Sequence, residues 1–270
     1  MISILRVELF RLKKSGLFWT MLGLCFAFPL LGFLSTIAFI GNVGEGVTVI
    51  DILKNAAVTE SYLSSLTDIL SNASLFSLIT VSIFLSKEFA DGTVRNVILA
   101  NKSRAQLYFS YYIIALFVGI TYLLAQFIPV AFIVAPVCGI GAMSAGEVVT
   151  SCLCSFALGL FAVLFTQSCV CMFLFGVRKQ WAAWLLPLLV CAFGPAIFET
   201  IVAIRELAMA FNGVELSYAV KSWIPFVNAN LFQPNAIDGG LILKIILYYG
   251  VFSAIFVASG YFTFEKADLK

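Results

Sequence analysis

The chain has 270 residues, of which 62% are hydrophobic and 11% charged, with a formal net charge of +2 and a mean hydropathy of +1.06. Soluble domains average about 25% charged residues, so these numbers exclude an ordinary soluble protein and indicate an integral membrane protein. The small net charge gives no reason to expect nucleic acid as a partner. Long uncharged stretches predict membrane-spanning helices, and therefore an all-α, polytopic fold.

The segment 1–16 is predicted to be an amphipathic helix that lies in the membrane interface. Its apolar residues recur at spacings of three and four, which predicts one stripe along a helix: Ile2, Leu5, Leu9 and Leu12. Glu8, Arg11 and Lys14 are expected to point away from this stripe. The alternative is that the segment is only a basic flank of the first span, which fixes its orientation.

Six membrane spans are predicted by uncharged length, at about 20 residues each, within a single transmembrane domain covering 1–270. The spans are 17–40, 69–86, 107–136, 148–175, 181–198 and 245–264. Pro129 and Pro136 favour one long third span that ends near Pro136, followed by an apolar outer turn. The segment 199–244 mixes apolar and charged residues, which indicates short re-entrant or interfacial helices at the outer face.

The distribution of Lys and Arg predicts that the N-terminus lies in the cytoplasm. In that orientation the larger group of basic residues is cytoplasmic: Arg6, Arg11, Lys13, Lys14, Lys87, Arg95, Lys102, Arg104, Arg178, Lys179, Lys266 and Lys270. The outer side holds only Lys54, Arg205, Lys221 and Lys244. Because six is an even number of spans, both termini are expected in the cytoplasm.

Enzymatic chemistry has little support in this sequence. The chain has no histidine, the commonest acid–base group and metal ligand, and no GxxxxGK[ST] loop for nucleotide phosphates. The seven cysteines lie mostly in apolar stretches and are interpreted as small buried hydrophobes. No catalytic, cofactor or metal site is predicted.

Two glutamines, Gln126 and Gln167, are the deepest strongly polar side chains in the predicted spans. They are candidates for lining a substrate pathway. The alternative, which is the more common role for such residues, is a hydrogen bond to a neighbouring helix. The spans lack ionisable residues at depth, so energy for any transport is expected to come from outside this chain.

The charged segment 87–104 lies between two long apolar stretches and is predicted to be the main cytoplasmic loop. Gly92 permits a tight change of direction, and Glu88 and Asp91 precede a short helix predicted over 93–99. This helix has an apolar ridge at spacings of three and four: Val94, Val97 and Ile98. It is suited to docking in a partner's groove, although a basic loop that only fixes topology is an equally good interpretation.

The pattern in this segment resembles the permeases of type 2 ATP-binding-cassette exporters, the ABC-2 group. The matching positions are Glu88, Gly92, Thr93, Asn96, Leu99, Ser103 and Arg104. The amphipathic N-terminal segment, the six predicted spans and the charged C-terminal end agree with this family in layout. The chain departs from it at Tyr111, where members often carry a Lys early in the third span.

The resemblance implies a non-enzymatic half-transporter of the bacterial cytoplasmic membrane. Two permeases, identical or related, would form a twelve-span dimer in membrane lipid and bind two ATPase subunits, which hold the ATP and Mg. The loop 87–104 would couple ATPase movement to the spans. Its candidate coupling residues are Glu88, Asp91, Gly92, Thr93, Arg95, Asn96, Ser103 and Arg104.

The compact outer segments look most similar to permeases for antimicrobial-peptide or lantibiotic export and immunity, so a peptide or other amphipathic substrate is expected. The main alternative is an ATP-independent channel or a membrane scaffold subunit. A channel should have a polar stripe lining its pore, and no such stripe is evident in the sequence. An intramembrane enzyme is disfavoured because catalytic groups do not cluster.

Overall fold

The computed structural model describes residues 2–41, 75–99, 103–134, 145–177, 185–193, 197, 200–201, 204 and 239–266. The regular structure within these ranges is helical, which confirms the predicted all-α class for them. Residues 42–68, between the first two predicted spans, and most of the predicted outer segment 199–244 lie outside the described residues.

Seven helices carry labels below. They are α1 (Ile2–Lys14), α2 (Gly16–Gly41), α3 (75–90), α4 (Thr93–Leu99), α5 (Arg104–Pro129), α6 (Ala145–Val177) and α7 (Gly239–Glu265). A wider helical turn, Val130–Val134, continues α5, and a short helical segment covers 185–193. The change of winding follows Pro129, whose missing N–H interrupts the regular hydrogen-bond ladder.

Three helical stretches are long and apolar enough to cross a membrane: Arg104–Phe132, Cys152–Val177 and Ile246–Glu265. A fourth candidate is α1 together with Gly16–Gly32, which meet at a bend of 67°. The chain is therefore a multi-pass membrane protein with three or four candidate spans in its described part. The full set of six spans stays a prediction.

Helix α5 is the centre of the bundle and contacts α1, α2, α6 and α7. Its inward face is rich in tyrosine, with Tyr108, Tyr111 and Tyr122 almost fully buried. Its opposite face exposes Phe109 and Phe117, as expected where a helix meets lipid. This two-sided pattern places the packed core against α5, and lipid on the other side.

A close backbone approach between helices involves Gly260 of α7, which lies against α6. A Cβ atom at this position would stand 2.9 Å from the backbone Cα of Met172 and 2.7 Å from the Tyr108 hydroxyl. Small residues at such crossings let backbones approach closely, which stabilises helix packing in membranes. Gly260 therefore sets the separation of the two last long helices.

Helix α1 (Ile2–Lys14) lies within the predicted segment 1–16 and buries a face beside the predicted stripe. Ile2 is 79% exposed, whereas Ile4, Glu8 and Leu12 are buried. The predicted stripe is kept, since Ile2, Leu5, Leu9 and Leu12 line one surface groove, and the burial of Ile4 and Glu8 adds a second face that periodicity did not indicate. The reason is that α1 packs against α5 and α2, and a charged partner close to Glu8 makes burial of its carboxylate possible.

Candidate functional site

An ion pair joins α1 to the end of α3. Nη1 of Arg11 lies 2.6 Å from a carboxylate oxygen of Glu88 and 3.4 Å from Oε1 of Glu8. The Glu88 side chain is 2% exposed and that of Arg11 is 38% exposed. One partly exposed guanidinium therefore pairs with two buried carboxylates. We call Glu8, Arg11 and Glu88 the α1–α3 junction.

The junction shifts the pKa values of Glu8 and Arg11. The pKa of Glu8 is raised to about 7, because burial and, after it, the negative charge of Glu88 raise it more than the charge and hydrogen bond of Arg11 lower it. Burial alone would lower the pKa of Arg11, but the hydrogen bond and charge of Glu88 outweigh it and raise that pKa. Arg11 therefore stays charged, while Glu8 exchanges its proton near neutral pH.

A tight turn follows the junction and begins α4. Gly92 has a φ of +69°, the left-handed region that favours glycine. The Thr93 hydroxyl lies 2.5 Å from the Glu88 carboxylate and 2.8 Å from the Glu88 carbonyl oxygen, so it donates back across the turn. The predicted change of direction at Gly92 and the predicted helix 93–99 are both confirmed.

The apolar ridge of α4 faces its own protein. Val94 is 2% exposed, and Val97 and Ile98 pack against the same hydrophobic core. The bundle therefore covers Val94 fully and Val97 and Ile98 only in part, and docking of this helix in a partner's groove stays a prediction. The polar positions Asp91 and Asn96 are exposed, and they mark the outward surface of the turn and helix.

An aromatic cluster packs next to the junction, through Phe89, which follows Glu88 in the chain. Phe175 of α6 lies at its centre, with ring centroids 5.3 Å from Phe89, 4.9 Å from Tyr108 and 4.7 Å from Phe264. The Tyr108 hydroxyl donates to the carbonyl of Val257 at 3.0 Å. Helices α3, α5, α6 and α7 thus meet through rings in edge-to-face and tilted contacts, next to the turn at Gly92.

Ser103 and Arg104 start α5 and fix its neighbours. The Ser103 side chain caps the helix by accepting from the backbone N–H of Gln106 at 3.2 Å. Arg104 Nη1 donates to the carbonyl oxygens of Phe264 at 3.2 Å and Glu265 at 2.6 Å. A cation at the carboxyl end of α7 satisfies carbonyls that lack helical partners, so Arg104 has a direct structural role.

The structure thus divides the eight predicted coupling residues into groups. Glu88, Gly92 and Thr93 meet at the turn, Ser103 and Arg104 lie at the start of α5, and Asp91 and Asn96 face outward. The side chain of Arg95 lies outside the described residues.

Sequence reasoning missed Glu8 and Arg11 as partners of this segment. A single acidic residue three positions before an arginine, within an otherwise basic segment, was the available signal.

The two interior glutamines lie between helices. Gln167 of α6 donates from Nε2 to the Ser77 hydroxyl of α3 at 2.8 Å, which is the cross-helix bond anticipated as the alternative to a pathway. Gln126 of α5 is fully buried beside the Cys25 thiol of α2. A pathway role for either residue stays a prediction. No group of His, Cys, Asp or Glu that could hold a metal was found within the described residues.

Comparison with known proteins gives one family. Residues 4–195 match a family described as ABC-2 family transporter protein, while a search of curated proteins returns no match. The matched range covers well over half of the 270 residues. It includes α1 from residue 4 onward and α2 to α6, and so the whole α1–α3 junction and the Gly92 turn. Permeases of this family work with separate ABC ATPase subunits and are typically non-catalytic. The chain is therefore the membrane component of a transporter and belongs to the ABC-2 family.

Proposed function

We propose that this chain is the permease subunit of an ATP-driven exporter, and that the turn and helix 91–99 receive the movement of an ABC ATPase. The observation that carries this proposal is the α1–α3 junction, which holds the turn in place through Arg11, Glu88 and Thr93. A rigid support is needed because force applied to a loose loop would be absorbed by the loop itself. The exposed positions Asp91 and Asn96 form the contact surface.

The remaining coupling residues transmit this force. Phe89 passes it to Phe175 of α6, and Arg104 links the start of α5 to the end of α7. Through these contacts, a movement of the segment 91–99 would displace α5, α6 and α7 together. Glu88 and Arg104 therefore act on coupling by positioning, whereas Asp91, Asn96 and the neighbouring Arg95 contact the ATPase.

In this proposal the chain crosses the membrane six times with both termini in the cytoplasm, as the bias of basic residues favours. Two permeases, identical or related, form the twelve-span unit in the bacterial cytoplasmic membrane. Each of them binds one cytoplasmic ATPase subunit. The substrate is a peptide or another amphipathic molecule, as in compact permeases for antimicrobial-peptide or lantibiotic export. The absence of ionisable residues deep in the predicted spans fits such a substrate better than a small ion.

Site-specific photocrosslinking tests the proposed contact. A photoreactive amino acid is placed at Asn96 or at Asp91, and the chain is produced together with the ABC ATPase encoded beside it. We expect a crosslinked product of permease plus ATPase from both positions. Position 113, on the exposed side of α5, is the matched control and should crosslink only to lipid.

Substitutions at the same two positions test whether the contact matters. Asp91→Lys and Asn96→Trp should insert normally into the membrane, reduce ATPase pull-down at least about tenfold and abolish substrate-stimulated ATP hydrolysis. A loss of 2–5 kcal/mol is typical when a charge at an interface loses its partner, roughly the size needed. Unchanged pull-down and transport in both variants would reject 91–99 as the ATPase contact, and would favour the channel or scaffold alternative.

A further inference from the structure

A groove opens between α1 and α2, with α5 as its floor. Its volume is about 700 Å³, within the range of about 300–1,000 Å³ that ligand pockets occupy. Apolar side chains form most of its wall, among them Leu5, Leu9, Phe18, Leu22 and Phe117. The groove is thus large enough and apolar enough to hold a hydrocarbon chain.

The charged residues that line the groove are both basic. Arg6 and Lys13, seven positions apart on α1, lie on its wall and are exposed. The ion pairs found among the described residues involve Arg11 with Glu8 and Glu88, and neither Arg6 nor Lys13 takes part in one. Two cations beside an apolar groove are complementary to a ligand with an anionic head and an apolar tail.

The bend between α1 and α2 places this groove at the level of the membrane surface. Helix α1 turns by 67° from the apolar arm Gly16–Gly32, and the indole N–H of Trp19 donates to the Lys13 carbonyl at 2.8 Å. Trp19 is 57% exposed and also lines the groove. A tryptophan at a helix bend, next to basic residues, is typical of the zone where lipid headgroups begin.

We propose that this groove binds one anionic phospholipid, whose phosphate lies between Arg6 and Lys13 and whose acyl chain runs over Leu9 towards Phe117. The lipid would fill the angle between α1 and α2 and so brace the bend. An anionic lipid is favoured over a neutral one because each Lys or Arg near a membrane surface contributes about 1 kcal/mol to anionic-lipid binding. The groove shares no lining residue with the proposed ATPase contact at 91–99.

Quenching of Trp19 fluorescence by brominated lipids tests the site in the full chain. The three other tryptophans, Trp181, Trp184 and Trp223, are replaced by Phe, and the protein is placed in phosphatidylcholine vesicles. Brominated phosphatidylglycerol or brominated phosphatidylcholine is then added at equal mole fraction. We expect preferential quenching by the anionic lipid, by about fivefold in apparent affinity for each contributing cation.

The double variant Arg6→Gln, Lys13→Gln should lose this preference, and Lys266→Gln, an exposed basic residue at the end of α7, should keep it. Equal quenching by the two lipids in the parent protein would overturn the proposal, as would a preference that survives in the double variant. Shielding of Trp19 from both lipids, with crosslinking between copies through the groove, would instead assign the groove to a second copy of the chain.

A second measurement does not depend on the tryptophan substitutions. Native mass spectrometry of the unmodified chain, released from micelles that contain both lipids, should show one retained anionic lipid. Leu9→Trp, which fills the groove, should release it without lowering the amount of folded protein. Retention of the same lipid by this variant would contradict the groove as its binding site.

Discussion

Arg11 and Glu88 are 77 positions apart in the chain, yet their side chains meet at 2.6 Å. The interfacial helix α1 is therefore joined to the loop between two predicted spans by a pair whose acidic member is 2% exposed. Glu8 shares the same guanidinium at 3.4 Å. Removal of the arginine leaves two buried carboxylates facing each other, whereas removal of one carboxylate relieves that repulsion.

Arg11→Ala should therefore destabilise the protein more than Glu88→Gln does. We expect about 3 kcal/mol for the loss of Arg11, since breaking a buried pair leaves an uncompensated charge. Glu88→Gln keeps an oxygen that accepts from Thr93 and should cost about 1 kcal/mol. Thermal unfolding of the purified variants in one detergent measures both changes. Lys14→Ala, at an exposed position on the same helix, is the control and should have little effect. An equal loss in the two test variants would contradict this account.

The stability of the chain should depend on pH through Glu8. Its pKa is raised from 4.5 to about 7 in the folded protein, so the folded state binds a proton that the unfolded state has released. Stability should fall as pH rises from about 4.5 to about 7, by at most about 1.4 kcal/mol per pH unit. Above this window the dependence on Glu8 should be flat.

Glu8→Gln tests this linkage because it removes the titrating group and keeps its size. The variant should unfold at a nearly constant temperature across the same pH window, and should be more stable than the parent at pH values above it. Asp91→Asn, at an exposed carboxylate, is the control and should keep the parent's slope. A parent-like slope in Glu8→Gln would assign the pH dependence to other groups.

Gly92→Ala should weaken the turn without any clash. The φ of +69° is unfavourable for residues with a Cβ, although a Cβ here would meet no atom within 4 Å. We expect a loss of about 1–2 kcal/mol from backbone strain. Gly92→Asn should lose less, because asparagine tolerates the left-handed region. Chemical unfolding of the two variants side by side gives the comparison, and equal losses would contradict a strain origin.

Gly260→Val should disrupt the packing of α7 on α6. Its side chain would meet the backbone at Met172, 2.9 Å from the position of the Cβ atom, and backbone atoms do not yield as a flexible side chain does. We expect a loss above about 2 kcal/mol, in the range of severe overpacking, measured as folded yield and unfolding temperature. Gly250→Ala on the same helix has no atom within 4 Å of the new Cβ and should be tolerated.

Long-range pairing explains most of what sequence reasoning missed. Composition and uncharged length predict the helical membrane fold, and turn chemistry predicts the break at Gly92 and helix 93–99, since these depend on neighbouring residues. The partner of Glu88 lies on α1, and no local pattern indicates that contact. Periodicity predicts the apolar stripe of α1 but not the face that buries Ile4 and Glu8, because it cannot distinguish a face against lipid from a face against protein.

In the candidate site too, the features that depend on neighbouring residues could be predicted, and those that depend on distant residues could not. The positions that resemble the family motif lie at the turn and at the start of α5, as their spacing indicates. The role of Arg104 was not evident, because the carbonyls that it caps belong to Phe264 and Glu265 at the far end of the chain. The ridge of α4 contacts the bundle at Val94, Val97 and Ile98, and such a contact between distant parts of the chain has no local signal in the sequence.

The bend at Ser15 gives α1 the properties of a lever. At the helical rise per residue, Arg11 lies about 6 Å from this pivot and Ile2 lies about 20 Å from it. A displacement of about 1 Å imposed at Arg11 through Glu88 would therefore become a displacement of about 3 Å at Ile2, if the helix stays straight. Because Ile2 and Arg6 also line the groove, each movement of the loop at Glu88 would widen or narrow that groove at the end formed by Ile2.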